Sequence, residues 1–169
     1  RTIMDTATSY RYKVFIPQKL IGKKKVRVIL FLHGAGERGN DNVAQTRIGI
    51  GPALERLKDN FQAVVVLPQC PSGRWWSEPE MQALAMKALD QTMTEVNADS
   101  SRVYLTGLSM GGYGSWAIAV NNPARFAARI IQFASTFALL RVGAAGDLYM
   151  GIRAGDGLGF AACLWAWRL

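Results

Sequence analysis

Two short segments of this chain are apolar almost without interruption. Residues 26–32 read VRVILFL and residues 63–67 read AVVVL, the second stopped by Pro68. Such β-rich runs predict central strands covered on both faces, as in parallel sheets. Around them the pattern changes period. Residues 10–16 (YRYKVFI) alternate and end at Pro17, which reads as a half-buried strand. Residues 51–60 suggest a short helix with Leu54 and Leu57 turned inward. Ser77 and Glu80 have capping-box spacing, with Pro79 tolerated in a first turn. Behind them Met81, Leu84, Ala85, Leu89, Met93 and Val96 recur at helical spacing, an amphipathic helix of about five turns. The polar cluster at residues 97–100 ends it. Residues 102–106 are the next strand, a helix runs from about Met110 to Asn121 before Asn122-Pro123, and residues 129–133 offer one more strand. Strands alternating with helices predict an α/β fold, a mostly parallel sheet flanked by helices. Ligands in such sheets sit at the carboxyl ends of strands, and the loops after Leu32 and Thr106 both lie there.

Composition narrows the class. At 169 residues one domain is expected, and 50% hydrophobic with 19% charged residues excludes disordered and collagen-like chains. No run of about 18 apolar residues predicts a membrane span, and Arg1 opens no charged-then-apolar leader. Cys70 and Cys163 are too few for a disulfide framework and too far apart for a zinc knuckle, so no metal is expected. The net charge of +8 includes the run Lys23-Lys24-Lys25. With no aromatics interleaved, that run reads as a solvated turn guarding a strand rather than a nucleic-acid patch. Cellular location stays open.

Gly107-Leu108-Ser109-Met110-Gly111 fits G-x-S-x-G, and a strand runs into it while a helix runs out. A tight strand–turn–helix holds its serine in a strained conformation with the hydroxyl exposed. The flanking glycines let neighbouring backbone approach without a Cβ clash. The Met110 amide, at a helix N-terminus, is then aimed to hold a developing oxyanion.

The loop from His33 to Gly39 (HGAGERG) has two readings. Gly34, Gly36 and Gly39 satisfy the dinucleotide fingerprint G-x-G-x-x-G, which would make this a dinucleotide-binding protein. Glu37 and Arg38 crowd the turn that should meet a pyrophosphate, and residues 40–50 show little helical periodicity. The other reading is an oxyanion loop, in which an amide from Ala35 or Gly36 joins that of Met110. It uses both glycine motifs, whereas the dinucleotide reading uses one.

The segments LFLHGAGERGNDN (30–42), VVLPQCP (65–71), Trp75-Trp76, RVYLTGLSMGGYGSW (102–116) and NPARFA (122–127) closely resemble the α/β-hydrolase superfamily. Within it they are similar to the carboxylesterase and polyhydroxybutyrate-depolymerase-like group, often called predicted peptidases. The resemblance runs from about residue 10 to about residue 129, roughly three quarters of the chain. It implies a serine esterase with Ser109 as nucleophile, oxyanion amides at Met110 and near Ala35, no cofactor, and a small ester as substrate. Trp75 and Trp76 either line the substrate cleft or pack against the capped helix.

The family places an acid and then a histidine after the nucleophile, but no histidine follows Ser109 here. Residues 130–169 contain no Lys, Glu, His or Pro, and Asp147 and Asp156 are their only acids. The chain therefore divides into an α/β-hydrolase core, residues 1–129, and an atypical tail, residues 130–169, expected to be truncated or frame-shifted, which leaves the fold C-terminally incomplete. His33, the single histidine, would have to come within about 3 Å of Ser109 to act as its base. Weak activity on short acyl esters is one expectation, and a catalytically inactive remnant is another. Loss of the last strands would expose a sheet edge, and Phe160, Leu164, Trp165 and Trp167 add apolar surface. A homo-oligomer is expected.

Overall fold

The computed structural model describes residues 1–5, 8–133, 136–142 and 148–154. Their strands are β1 (Thr2–Asp5), β2 (Thr8–Phe15), β3 (Val26–Leu32), β4 (Ala63–Pro68), β5 (Ala98–Leu108), β6 (Ala128–Phe133), β7 (Thr136–Val142) and β8 (Leu148–Ala154). The helices are α1 (Ile50–Leu57), α2 (Pro79–Glu95) and α3 (Met110–Asn121). All eight strands join one sheet in the order β1-β2-β4-β3-β5-β6-β7-β8. The centre, β4-β3-β5-β6, is parallel throughout, and antiparallel pairs flank it on both sides.

The apolar runs behave as two-faced strands should. Val28, Leu30 and Leu32 of β3, with Val64 and Val66 of β4, enter one core cluster. Ile29 and Phe31, with Val65 and Leu67, enter the other. Period-2 alternation thus sends successive side chains to opposite cores. The first core is covered by Met81, Leu84, Ala85, Ala88 and Leu89 of α2 and by Met110, Ile118 and Ala119 of α3. The second lies under Ile50 and Leu54 of α1. Each fully buried aliphatic side chain contributes about 1.5–3 kcal/mol.

Several expectations are corrected. Leu57 is 38% exposed, because α1 ends there. Ser77 does not cap α2: the N-cap is Glu78. The Glu78 carboxylate turns back instead, accepting from the Trp75 amide at 2.6 Å and from Arg74 Nε at 2.5 Å. The polar cluster after α2 opens β5, with Val26 opposite Ala98 before a bulge. Next to β6 lies no open edge, since β7 pairs with β6 and β8 with β7, both antiparallel.

Candidate active site

Ser109 stands where β5 becomes α3, with φ 52° and ψ −112°. Left-handed backbone is costly for a residue with a side chain and persists only where the surroundings fix it. Those surroundings are backbone. A Cβ on Gly111 would collide with the Leu32 carbonyl at the end of β3, and one on Gly107 would collide with the Gly111 carbonyl. The first turn of α3 therefore sits directly on β3, and the bend is forced at Ser109, whose side chain stays exposed. The Ser109 carbonyl already accepts from the amides of Gly112 (2.8 Å) and Tyr113 (3.3 Å). The amides of Met110 and Gly111 come before the first intrahelical bond and have no acceptor within the helix. Met110 buries its side chain in the core and leaves its amide at the helix mouth.

The loop after β3 abuts this bend. A Cβ on Gly34 would lie 3.9 Å from Ser109 Cβ and 3.6 Å from the Leu108 carbonyl oxygen. Gly34 is extended (φ −76°, ψ 178°) and leads into a single 3-10 turn, Ala35–Glu37. Ala35 packs against the first core, while Gly36 faces open space. The structure thus brings Gly34 beside Ser109, with Ala35 and Gly36 next in chain. It corrects the dinucleotide reading, which needs a helix opening at the glycines to aim its N-terminus at phosphate. Here one 3-10 turn follows, and the first α-helix begins only at Ile50.

His33 is 1% exposed and fully committed. Its Nε2 accepts from the Cys70 amide at 2.9 Å, so the proton is on Nδ1, which donates to the Gly34 carbonyl at 2.6 Å. A neutral imidazole has one donor and one acceptor, and both are used. Burial, reinforced by the Arg38 charge, outweighs the bond to Gly34 and lowers its pKa to about 4. His33 is therefore a strut of the loop, with no lone pair left for the Ser109 proton. That corrects its candidacy as base. The candidate acids Asp147 and Asp156 lie outside the described residues.

The end of β4 supplies the rest of the scaffold. Gln69 accepts from the Asn42 amide (2.6 Å) and donates through Nε2 to the Glu37 carbonyl (3.1 Å) and to Asp41 Oδ1 (2.8 Å). Asp41 Oδ1 also accepts from the amides of Val43 and Ala44, and these bonds hold its pKa at about 2. The Cys70 carbonyl accepts from Gly39. Its thiol is pushed up to about 12 by burial and is inert at neutral pH. These bonds are not legible in the sequence, since the partners lie 28 or more positions away or in backbone.

The two tryptophans part company. Trp76 is 1% exposed, donates Nε1–H to the His33 carbonyl at 3.1 Å and stacks edge-on against the His33 ring. A Cβ on Gly114 would strike it, so α3 packs on it directly. Trp76 is core, which corrects its place in a cleft. Trp75 is 47% exposed, with the Arg38 guanidinium 5.4 Å from its ring centre.

No protein-family model matches the chain. Among curated proteins it is 26% identical over 137 residues to acetylxylan esterase A of Emericella nidulans, covering 75% of this chain and 42% of that protein. It is 27% identical over 132 residues to feruloyl esterase B of Neurospora crassa, covering 72% of this chain and 42% of that protein. Among solved structures, a thermostable esterase superposes with a TM-score of 0.66 at 35% identity, covering 76% of this chain and 39% of that one. The chain spans about two fifths of the length of the curated relatives it matches.

Proposed function

We propose that this chain, an α/β-hydrolase by fold, is a carboxylic-ester hydrolase in which Ser109 attacks the acyl carbon. The observation that carries this reading is the forced left-handed bend at Ser109, an exposed residue, with Gly34 of the neighbouring loop against it. The amides of Met110 and of Ala35 or Gly36 are the donors for the tetrahedral oxyanion. Each such donor is worth about 3–4 kcal/mol of barrier. The names of the relatives, all esterases, support the same class. One of them is named for acetylxylan, which fits the short acyl esters expected of this chain.

The base is unassigned, since the chain's single histidine is spoken for. A serine without a base is a weak nucleophile. Oxyanion donors still lower the barrier for attack by an unactivated Ser109 hydroxyl. The expected activity is therefore slow turnover of activated esters. Hydrolysis of p-nitrophenyl acetate above the protein-free rate, lost in Ser109→Ala, is the expected result. Turnover that survives Ser109→Ala removes the serine mechanism. No turnover by the parent protein favours a scaffold without catalysis.

A further inference from the structure

Glu37 has no part in the chemistry above. It closes the 3-10 turn beside Ser109 and is 8% exposed. Its backbone is used at both ends, the amide toward the Gly34 carbonyl (3.4 Å) and the carbonyl toward Gln69 (3.1 Å). Its carboxyl group is not: among the described residues no donor reaches it. The partnerless side-chain oxygens sealed from solvent among those residues are Tyr12 Oη, Gln45 Oε1 and Ser115 Oγ. The Glu37 oxygens are not in that set, so they keep a narrow opening to solvent. Their address is specific. Oε2 lies 3.0 Å from the place a Cβ on Gly34 would take, and Ser109 Cβ lies 3.9 Å from the same place. Carboxyl group and nucleophile flank one glycine.

The carboxyl group of a residue nine-tenths covered, with no donor from the described residues on it and an opening to solvent, can take a donor brought by a ligand in place of water. We propose that Glu37 is a subsite for a hydroxyl group carried by the substrate next to its ester, so that the chain selects esters of polyols. This rests on Ser109 as nucleophile and adds the chemical class of the alcohol. The neighbouring charges decide which donor fits. Arg38 follows in the chain, its Nε fixed to the Ala35 carbonyl at 3.0 Å and its guanidinium over Trp75. The guanidinium is committed there, which leaves Glu37 as a free acceptor; it repels an anion and takes a neutral hydroxyl, the donor that an ester's alcohol can carry next to the bond.

The matched pair 2,3-dihydroxypropyl acetate and propyl acetate differs only in two hydroxyls. The parent protein is expected to favour the diol ester in kcat/KM by about tenfold, and Glu37→Gln, which keeps the shape, to bring the ratio close to one. A parent ratio near one, or a ratio that survives in Glu37→Gln, overturns the subsite. Failure of the parent on both esters, neither of which has an activated leaving group, leaves Ser109 to be judged by its p-nitrophenyl acetate turnover. The subsite is then read by binding: in Ser109→Ala, the amide resonances of Gly34, Glu37 and Arg38 should shift saturably with 2,3-dihydroxypropyl acetate, at several-fold lower concentration than with propyl acetate. Equal or absent shifts refute it.

Discussion

His33 shows how a chemically able residue is spent on structure. Buried, with both nitrogens bonded, it stays neutral down to about pH 4, against 6.5 for a free imidazole. Between those values the unfolded chain takes up a proton that the folded chain refuses. Stability is therefore expected to fall as pH drops from about 6.5 toward 4, by at most about 3 kcal/mol at 1.36 kcal/mol per unit. Asp41 and Asp99, both held at about 2, add their losses only below about pH 4, as their stabilised carboxylates are protonated. Urea unfolding at pH 7, 5.5 and 4.5 reads the His33 part, and a His33→Gln variant should flatten it. A slope that persists in the variant assigns the effect elsewhere. At this scale the backbone bend at Ser109, with its flanking glycines, is legible in the sequence, because one local pattern states the whole backbone requirement. Trp76 is not, because its burial depends on Gly114 and His33, neither of them near it in the chain.

The bend at Ser109 is a joint between elements. Gly111 lets α3 rest on the end of β3, so Gly111→Ala must push the helix off the sheet. A loss of about 1–3 kcal/mol or more in chemical denaturation is expected, together with loss of Ser109 chemistry. Gly36→Ala, which meets open space, is the control and should change stability by less than about 0.5 kcal/mol. Gln69 is the clamp between β4 and the loop. Gln69→Leu strands the Asn42 amide and the Glu37 carbonyl, at a cost of about 1–3 kcal/mol each if they stay buried. Hydrogen exchange should then quicken across residues 37–44 and not in α2. Uniform quickening would mean global destabilisation rather than a released loop. The boundaries of β3, β4 and α3 follow from the sequence closely, since apolar runs and glycine punctuation mark them. The start of α2 does not: the capping pattern at Ser77 loses to Glu78, whose carboxylate finds a guanidinium and an amide nearby.

Taken as one molecule, the chain has a parallel centre and antiparallel rims. The centre is legible because both faces of each strand are apolar, and β1, β7 and β8 are not, because a rim strand needs no such run. Trp116 and Val120 of α3 are exposed, at 42% and 63%, and the sequence of the tail is rich in apolar residues. We expect self-association, with light scattering giving a mass above the 18.5 kDa of one chain and a monomer at high concentration contradicting it. The most direct test of the account is whether the serine at the bend reacts as a nucleophile, slowly as one without an assigned base should. Incubated with a fluorophosphonate at neutral pH and read by intact-protein mass spectrometry, the chain should gain one phosphonyl adduct, mapped to Ser109 and absent from Ser109→Ala. An unmodified mass, or an adduct that persists in Ser109→Ala, would contradict it.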